Sequence, residues 1–219
     1  MWRLIQPDLC SAQENMDRDI HFLETMKEGD SPILHIYGFK RPAFTYGVFQ
    51  KPETLIAPGA LLELDHARRP TGGGLVFHLW DVTFSLVIAR GHPLYIENAV
   101  ENYRLIHEKL IAELPPGAGM LSEASGRDSF CFVKPTIYDV MWGGKKIGGA
   151  AQRRRRHALL HQASFSVEPF DPPFLEKVLL HPDDVLPKMG ASTAFLGKCL
   201  SREELIQCIV RTFIPNAKK

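Results

Sequence analysis

The sequence predicts an α+β fold, in which a largely antiparallel sheet is set apart from its helices instead of alternating with them. Short runs rich in β-branched and aromatic residues recur at Ile33–Tyr37, Ala43–Val48, Leu75–His78, Thr83–Ala89, Tyr138–Trp142 and Leu159–Val167, and turn-forming segments separate several of them. Helical spacing of apolar residues is confined to separate stretches near residues 11–27, 93–114 and from 201 onward. Strands that succeed one another without an intervening helix need only hairpin connections, which favours antiparallel pairing over a doubly wound sheet.

Each element has its own signal. Trp2 to Ile5 is strand-like. From Ser11 to Lys27, Met16, Ile20, Leu23 and Met26 fall on one helical face, and Ser11 with Glu14 three residues later has the form of a capping box. Ile33–Tyr37 and Ala43–Val48, joined by Gly38-Phe39-Lys40-Arg41-Pro42, read as a strand pair. Leu75–His78 and Thr83–Ala89 are two more strands, with a turn around Trp80-Asp81. Pro93 to Leu114 carries Tyr95, Val100, Leu105, Ile106, Leu110 and Ile111 as a helix that Pro115-Pro116-Gly117 stops. Tyr138–Trp142 and Leu159–Val167 bracket a second glycine-rich loop, and a last helix begins near Ser201, with Glu204 again three residues on.

The 219 residues fit one domain, with its core to about residue 167 and a helical extension over 168–219. The net charge of +1 gives no support to wholesale nucleic-acid binding. The longest apolar runs, such as Val82–Ala89, fall far short of the ~20 residues a bilayer crossing needs. Asp8, Glu14, Asp17 and Asp19 near the start leave no basic, apolar leader, so no membrane contact and a cytoplasmic location are expected. Cys10, Cys131, Cys199 and Cys208 are scattered without a CxxC pair, and His66, His92 and His181 lack a partner pattern, so no metal site and no disulfide framework are indicated.

The candidate chemistry gathers in two glycine-rich stretches. In Arg68-Arg69-Pro70-Thr71-Gly72-Gly73-Gly74, followed by Leu75-Val76-Phe77-His78, bare backbone N–H groups can approach a ligand and the guanidiniums favour an anionic one. A glycine turn between strands is the plainer alternative. The second stretch, Gly143-Gly144-Lys145-Lys146-Ile147-Gly148-Gly149-Ala150-Ala151-Gln152, carries lysines instead. Lys146 is expected inside and Lys145 outside, since neighbouring strand residues face opposite ways. A compact ammonium suits the stabilisation of an oxyanion. Cys131, between Phe130 and Phe132, is either a small buried hydrophobe or a nucleophile whose thiolate needs a nearby cation such as Lys146. His78 and His161 stand at strand ends, where they can shape a pocket or serve structure alone. Arg153-Arg154-Arg155-Arg156 reads as a solvated charge block or as a docking site for an acidic acceptor or carrier domain.

The residues from Arg68 to His78 resemble the RRxxGGGxVxH signature of the lipoate-protein ligase A family. Tyr138-Asp139-Val140, Gly144 to Arg154 and Leu159-Leu160-His161-Gln162 resemble its second signature, and the Glu14–Asp17 helix and Ala43–Gln50 strand fit its opening elements. The resemblance covers the chain to about Val167. It implies the biotin and lipoate ligase catalytic-domain fold, an α/β sandwich with mixed and antiparallel sheet. It also implies attachment of lipoyl or octanoyl groups as an amide to a lysine of lipoyl domains in 2-oxoacid dehydrogenase or glycine cleavage proteins. Lys146 matches the lysine that contacts the acyl carbonyl, and Arg69, Thr71 and Gly72 to Gly74 match the loop lining the acyl and nucleotide pocket. Asp139 matches a residue that supports the activated acid through magnesium or a hydrogen bond. His78, Gly148, Gly149, Ala150 and His161 complete the expected binding set.

Two mechanisms run in this family. An intact Gly72-Gly73-Gly74 is the ligase form, in which lipoate or octanoate and Mg-ATP give an acyl-adenylate, and this is the first expectation. A cysteine shortly before a Pro-x-x-Tyr-acidic element, as in Cys131, Pro135, Tyr138 and Asp139, is the form of octanoyl transferases that draw on octanoyl-acyl carrier protein. The third alternative is a noncatalytic acyl-binding module. Ala163 and Leu79 stand where the family commonly has glycine and aspartate, and no large accessory domain is expected after the catalytic one.

Overall fold

The computed structural model describes residues 1–6, 9–121, 129–130, 133 and 135–215. In chain order they form β1 (Arg3–Ile5), α1 (Ala12–Thr25), β2 (Ile33–Tyr37), β3 (Ala43–Tyr46), α2 (Pro58–Glu63), β4 (Asp65–Arg68), β5 (Val76–His78), β6 (Asp81–Ala89), α3 (Ala99–Ile111) and β7 (Ala118–Met120). There follow β8 (Val140–Trp142), β9 (Lys145–Arg154), β10 (Ala158–Ser166), α4 (Pro172–Val178), α5 (Pro182–Ser192) and α6 (Arg202–Phe213).

A seven-stranded sheet has the order β1-β2-β6-β10-β9-β8-β7, and a three-stranded sheet the order β4-β3-β5. The β1/β2 and β3/β4 pairs are parallel and the other pairs antiparallel, so the fold is the expected mixed, largely antiparallel α+β type. Strand β6 shows what orients the layers. Val82, Phe84, Leu86 and Ile88 face a core shared with Ile106 and Leu110 of α3 and with Leu205, Ile209, Val210 and Phe213 of α6. Val87 and Ala89 point the other way, against Leu23 of α1 and Met26. The alternation of a strand sorts these residues onto opposite faces. The small sheet packs Phe44, Val76 and Phe77 against Ala60 of α2, Leu175 and Val178 of α4, and Met189 of α5.

Capping boxes form at both helices where Ser and Glu stand three apart, Ser11 with Glu14 and Ser201 with Glu204. Other expectations are corrected. Ile33–Tyr37 and Ala43–Tyr46 are not a pair: β2, buried along its whole length, lies between β1 and β6, while β3 lies between β4 and β5. The helix expected from Pro93 starts only after Asn98, whose side chain accepts from the N–H groups of Val100 and Glu101. The second glycine stretch is mostly strand, since Leu159 to Phe165 pairs with Arg154 back to Gly148. Its turn is Gly143-Gly144 alone, with φ of 56° and 77°, the left-handed pair that a tight hairpin requires.

Candidate active site

A cavity of about 560 Å³ opens between the small sheet, the Gly72–Gly74 loop, the start of α3 and strands β9 and β10. Arg69, Gly72, Gly73, Gly74, His78, Asp139, Lys146, Gly149 and Ala150 line it. Thr71, Gly148 and His161 lie outside its lining, and Cys131 lies outside the described residues. Phe130, the residue before Cys131, is in the wall and bridges to Leu75. Phe49, Val100 and Ile137 give the lining an exposed apolar contribution.

Lys146 is the second residue of β9, and a register shift between Val140 and Met141 brings it opposite Met141. Its Nζ stands 2.7 Å from Asp139 Oδ2, with side-chain exposures of 4% and 5%. Asp139 also accepts from the Thr136 backbone N–H at 2.6 Å and the Thr136 hydroxyl at 3.1 Å. The pair lies flat against β9 because Gly149 has no Cβ: one added there would stand 2.7 Å from Asp139 Oδ1 and 2.8 Å from Lys146 Nζ. Gly148 serves packing instead, since its added Cβ would meet the Phe165 ring at 2.6 Å.

The first glycine loop is held from inside. Arg69, expected to attract an anion, donates to the Gly74 carbonyl at 2.6 Å, to the Gly72 carbonyl at 3.2 Å and to the Thr45 hydroxyl at 2.8 Å. Close approach explains Gly47, whose added Cβ would run into the Gly73 carbonyl oxygen. Thr71 donates to Gln162 Oε1 at 2.6 Å, and Gln162 Nε2 donates to Asp19 at 2.7 Å. Asp19 also meets His35 Nδ1 at 2.8 Å and accepts from Ser85 at 2.6 Å. This buried chain runs from α1 to the cavity through Gln162. A second chain fixes His78, with Nε2 2.7 Å from Thr45 Oγ1 and Nδ1 2.8 Å from Asp81 Oδ2. Asp81 also accepts from the Thr83 hydroxyl at 2.7 Å. Burial works against its ionisation, but His78, Thr83 and Ser164 outweigh that and hold its carboxyl below the usual range.

On the other side of the cavity stand Tyr103 and His107 of α3. Burial pushes the Tyr103 phenol up to about 12 and lowers His107 below the ordinary histidine value. His161, wholly buried and edge-on to His107 with ring centroids 5.3 Å apart, is lowered further by burial and by that neighbour. Tyr103, His107 and Asp19 carry no motif of their own, and helical spacing hides them among core positions, whereas Gln162 lies in the second signature without a role being assigned to it. The arginine block divides. Arg153 donates to the Pro70 carbonyl at 2.8 Å, and Arg154 donates to Asn102 at 2.9 Å and lies 5.1 Å over the Tyr95 ring. Arg155 and Arg156 remain exposed, with Arg155 Nη2 3.8 Å from Glu24 Oε1.

The lipoyl protein ligase A/B catalytic domain family matches residues 11–214. The chain belongs to that family. Octanoyltransferase LipM of Kyrpidia tusciae is 32% identical over 197 residues, covering 84% of this chain and 72% of the relative. A putative lipoate protein ligase of Thermoplasma acidophilum with bound lipoic acid superposes with a TM-score of 0.76 at 25% identity, over 96% of this chain and 83% of its own. A lipoate-protein ligase A bound with ATP gives 0.75 at 26%, over 97% and 83%. As a lipoyl protein ligase A/B catalytic domain, the chain is an enzyme of the lipoylation reactions, a ligase or a transferase. Among the described residues no helix is long and apolar enough to cross a membrane.

Proposed function

We propose that the chain is an octanoyltransferase. It takes octanoyl from an acyl carrier protein and passes it to a lysine of lipoyl domains, those of 2-oxoacid dehydrogenase or glycine cleavage proteins. The observation that carries this reading is the likeness to octanoyltransferase LipM over most of the chain. Cys131, one residue after the wall residue Phe130, supplies a nucleophile in sequence. In the first step the Cys131 thiolate attacks the thioester carbonyl of the carrier. The new C–S bond forms as the carrier thiolate leaves and takes up a proton, so the acyl group moves between two thioesters. In the second step the lysine amine replaces Cys131 sulfur and an amide results. A thioester is already activated, so neither step needs ATP. Lys146, fixed by Asp139, has the chemistry to stabilise the negative charge that gathers on the carbonyl oxygen in each step.

The acyl-adenylate ligase stays as a second reading because Gly72-Gly73-Gly74 lines the cavity without side chains and a structural relative binds ATP. Magnesium held by the protein does not fit. Asp139 is the single carboxylate among the described lining residues and is engaged by Lys146 and Thr136. No described cluster of three His, Cys, Asp or Glu is placed to hold a metal ion.

Substrate competition tests the reading. Octanoyl-acyl carrier protein and a lipoyl domain, without nucleotide, are expected to give octanoyl-lysine on the domain. Modification that appears only with free acid and Mg-ATP would return the enzyme to the ligases.

A further inference from the structure

An amine attacking an acyl carbonyl must give up a proton, and the described cavity residues differ in whether they can take it. Lys146 is the ammonium half of a buried salt bridge, and Asp139 is committed to it and to Thr136. His78 has Asp81 on one ring nitrogen and Thr45 on the other. The phenols of Tyr37 and Tyr103 are held protonated, both chiefly by burial.

His107 is placed differently. Its Nδ1 lies 2.6 Å from the Tyr138 carbonyl oxygen. A carbonyl only accepts, so Nδ1 carries the hydrogen and Nε2 the lone pair. That Nε2 is buried, and among the described residues it has no hydrogen-bond partner. A buried acceptor left unmet is costly, and an N–H brought by a ligand would satisfy it. The backbone is shaped to this end. Tyr138 has φ of 66°, the sole positive value at a described residue other than glycine. That residue offers its carbonyl to His107 while the next one, Asp139, reaches Lys146. Such strain persists where the surroundings fix it, typically at functional sites. His161 is the wrong tautomer to accept a proton at Nε2, because its Nδ1 faces the Gln152 amide nitrogen at 3.0 Å and its hydrogen therefore sits on Nε2.

We propose that His107 is the general base of the amide-forming step, its Nε2 taking the proton that the acceptor amine loses as it attacks. The inference rests on the chain being an acyl-transferring enzyme and holds for a thioester or an adenylate donor. The C–N bond forms and the carbonyl oxygen takes the electron pair. One N–H proton passes to Nε2, the carbonyl re-forms, and the thiolate or AMP leaves. The proton then goes to the thiolate, or to water when AMP leaves. The charged and titratable groups around His107 are Tyr103 on its own helix, His161 of β10, Asp139 before β8 and Lys146 of β9.

The test uses His107→Asn, which keeps a donor near the Tyr138 carbonyl and removes the lone pair. Transfer to a lipoyl-domain lysine is expected to fall ~100-fold while acyl loading without acceptor changes less than about threefold. Hydroxylamine, whose nitrogen is far less basic than a lysine amine and so gives up its proton to water once it has added, is expected to discharge the loaded variant as fast as the wild type. The nitrogen NMR shifts of His107 in the wild type are expected to show a neutral ring with hydrogen on Nδ1, a readout independent of turnover. Hydrogen on Nε2, unimpaired lysine transfer, or an equal loss toward lysine and hydroxylamine would each overturn the proposal. A wild type that transfers to no acceptor overturns the functional reading as well, whereas active wild type with unimpaired His107→Asn overturns this proposal alone.

Discussion

Lys146 Nζ and Asp139 Oδ2 stand 2.7 Å apart with both side chains almost fully removed from solvent. A pair in this setting is held by mutual compensation, and taking away one member leaves an uncompensated buried charge. Asp139→Ala is therefore expected to cost ~3–5 kcal/mol in urea denaturation. The Asp139→Ala, Lys146→Met double variant recovers most of that stability and stays inactive. A double variant as unstable as Asp139→Ala would show that Asp139 acts through Thr136 instead.

Neighbouring glycines separate stability from activity. Gly148→Ala drives a methyl into the Phe165 ring, and overpacking of this kind costs ~1–3 kcal/mol. Gly149→Ala meets the flexible ends of Lys146 and Asp139, which can move at little cost to the fold. Misplacing the ammonium should lower acyl transfer by about 100-fold. Melting temperatures and single-turnover rates on both variants check the contrast, and equal melting losses with equal rates would refute it.

Stability should fall as the solution is acidified through the histidine range. His107 and His161 are lowered in the folded state by burial, so below about pH 6.5 the unfolded chain binds more protons than the folded one. Their contribution is complete above the unfolded value and is lost progressively as pH falls toward the folded ones. Urea midpoints from about pH 7.5 down to 5 should decline less steeply in His161→Asn than in the wild type. Equal slopes would contradict the assignment.

The ends of the fold were legible in the sequence because capping boxes and apolar spacing are local signals. Ser11 with Glu14 and Ser201 with Glu204 form as expected. The partition of β2 and β3 into different sheets was not, because a hairpin and a crossover between sheets share the same short turn-rich link. Lys146 stands out in sequence by its glycine setting. Asp139 stands out only through family resemblance, since the contact between them depends on the bulge at Val140/Met141. His107 and Asp19 gave no signal at all: each is one polar residue on an otherwise ordinary helix, and its partners come from segments distant in sequence.

Thr71→Val probes the buried chain behind the cavity. It removes the donor to Gln162 Oε1 at 2.6 Å without changing shape, leaving an acceptor unmet at ~1–3 kcal/mol. Because Gln162 lines the cavity, KM for the acyl donor should rise more than kcat falls. A drop in kcat alone would place Thr71 in the chemistry itself.

In the proposed reaction the acyl group rests on Cys131 before it reaches lysine. The direct measurement is peptide mapping by mass spectrometry of the enzyme after exposure to octanoyl-acyl carrier protein without acceptor or nucleotide. One octanoyl group is expected on the peptide containing Cys131, released by hydroxylamine and absent in Cys131→Ala. An unlabelled enzyme that still modifies lipoyl domains, or full activity in Cys131→Ala, would contradict it.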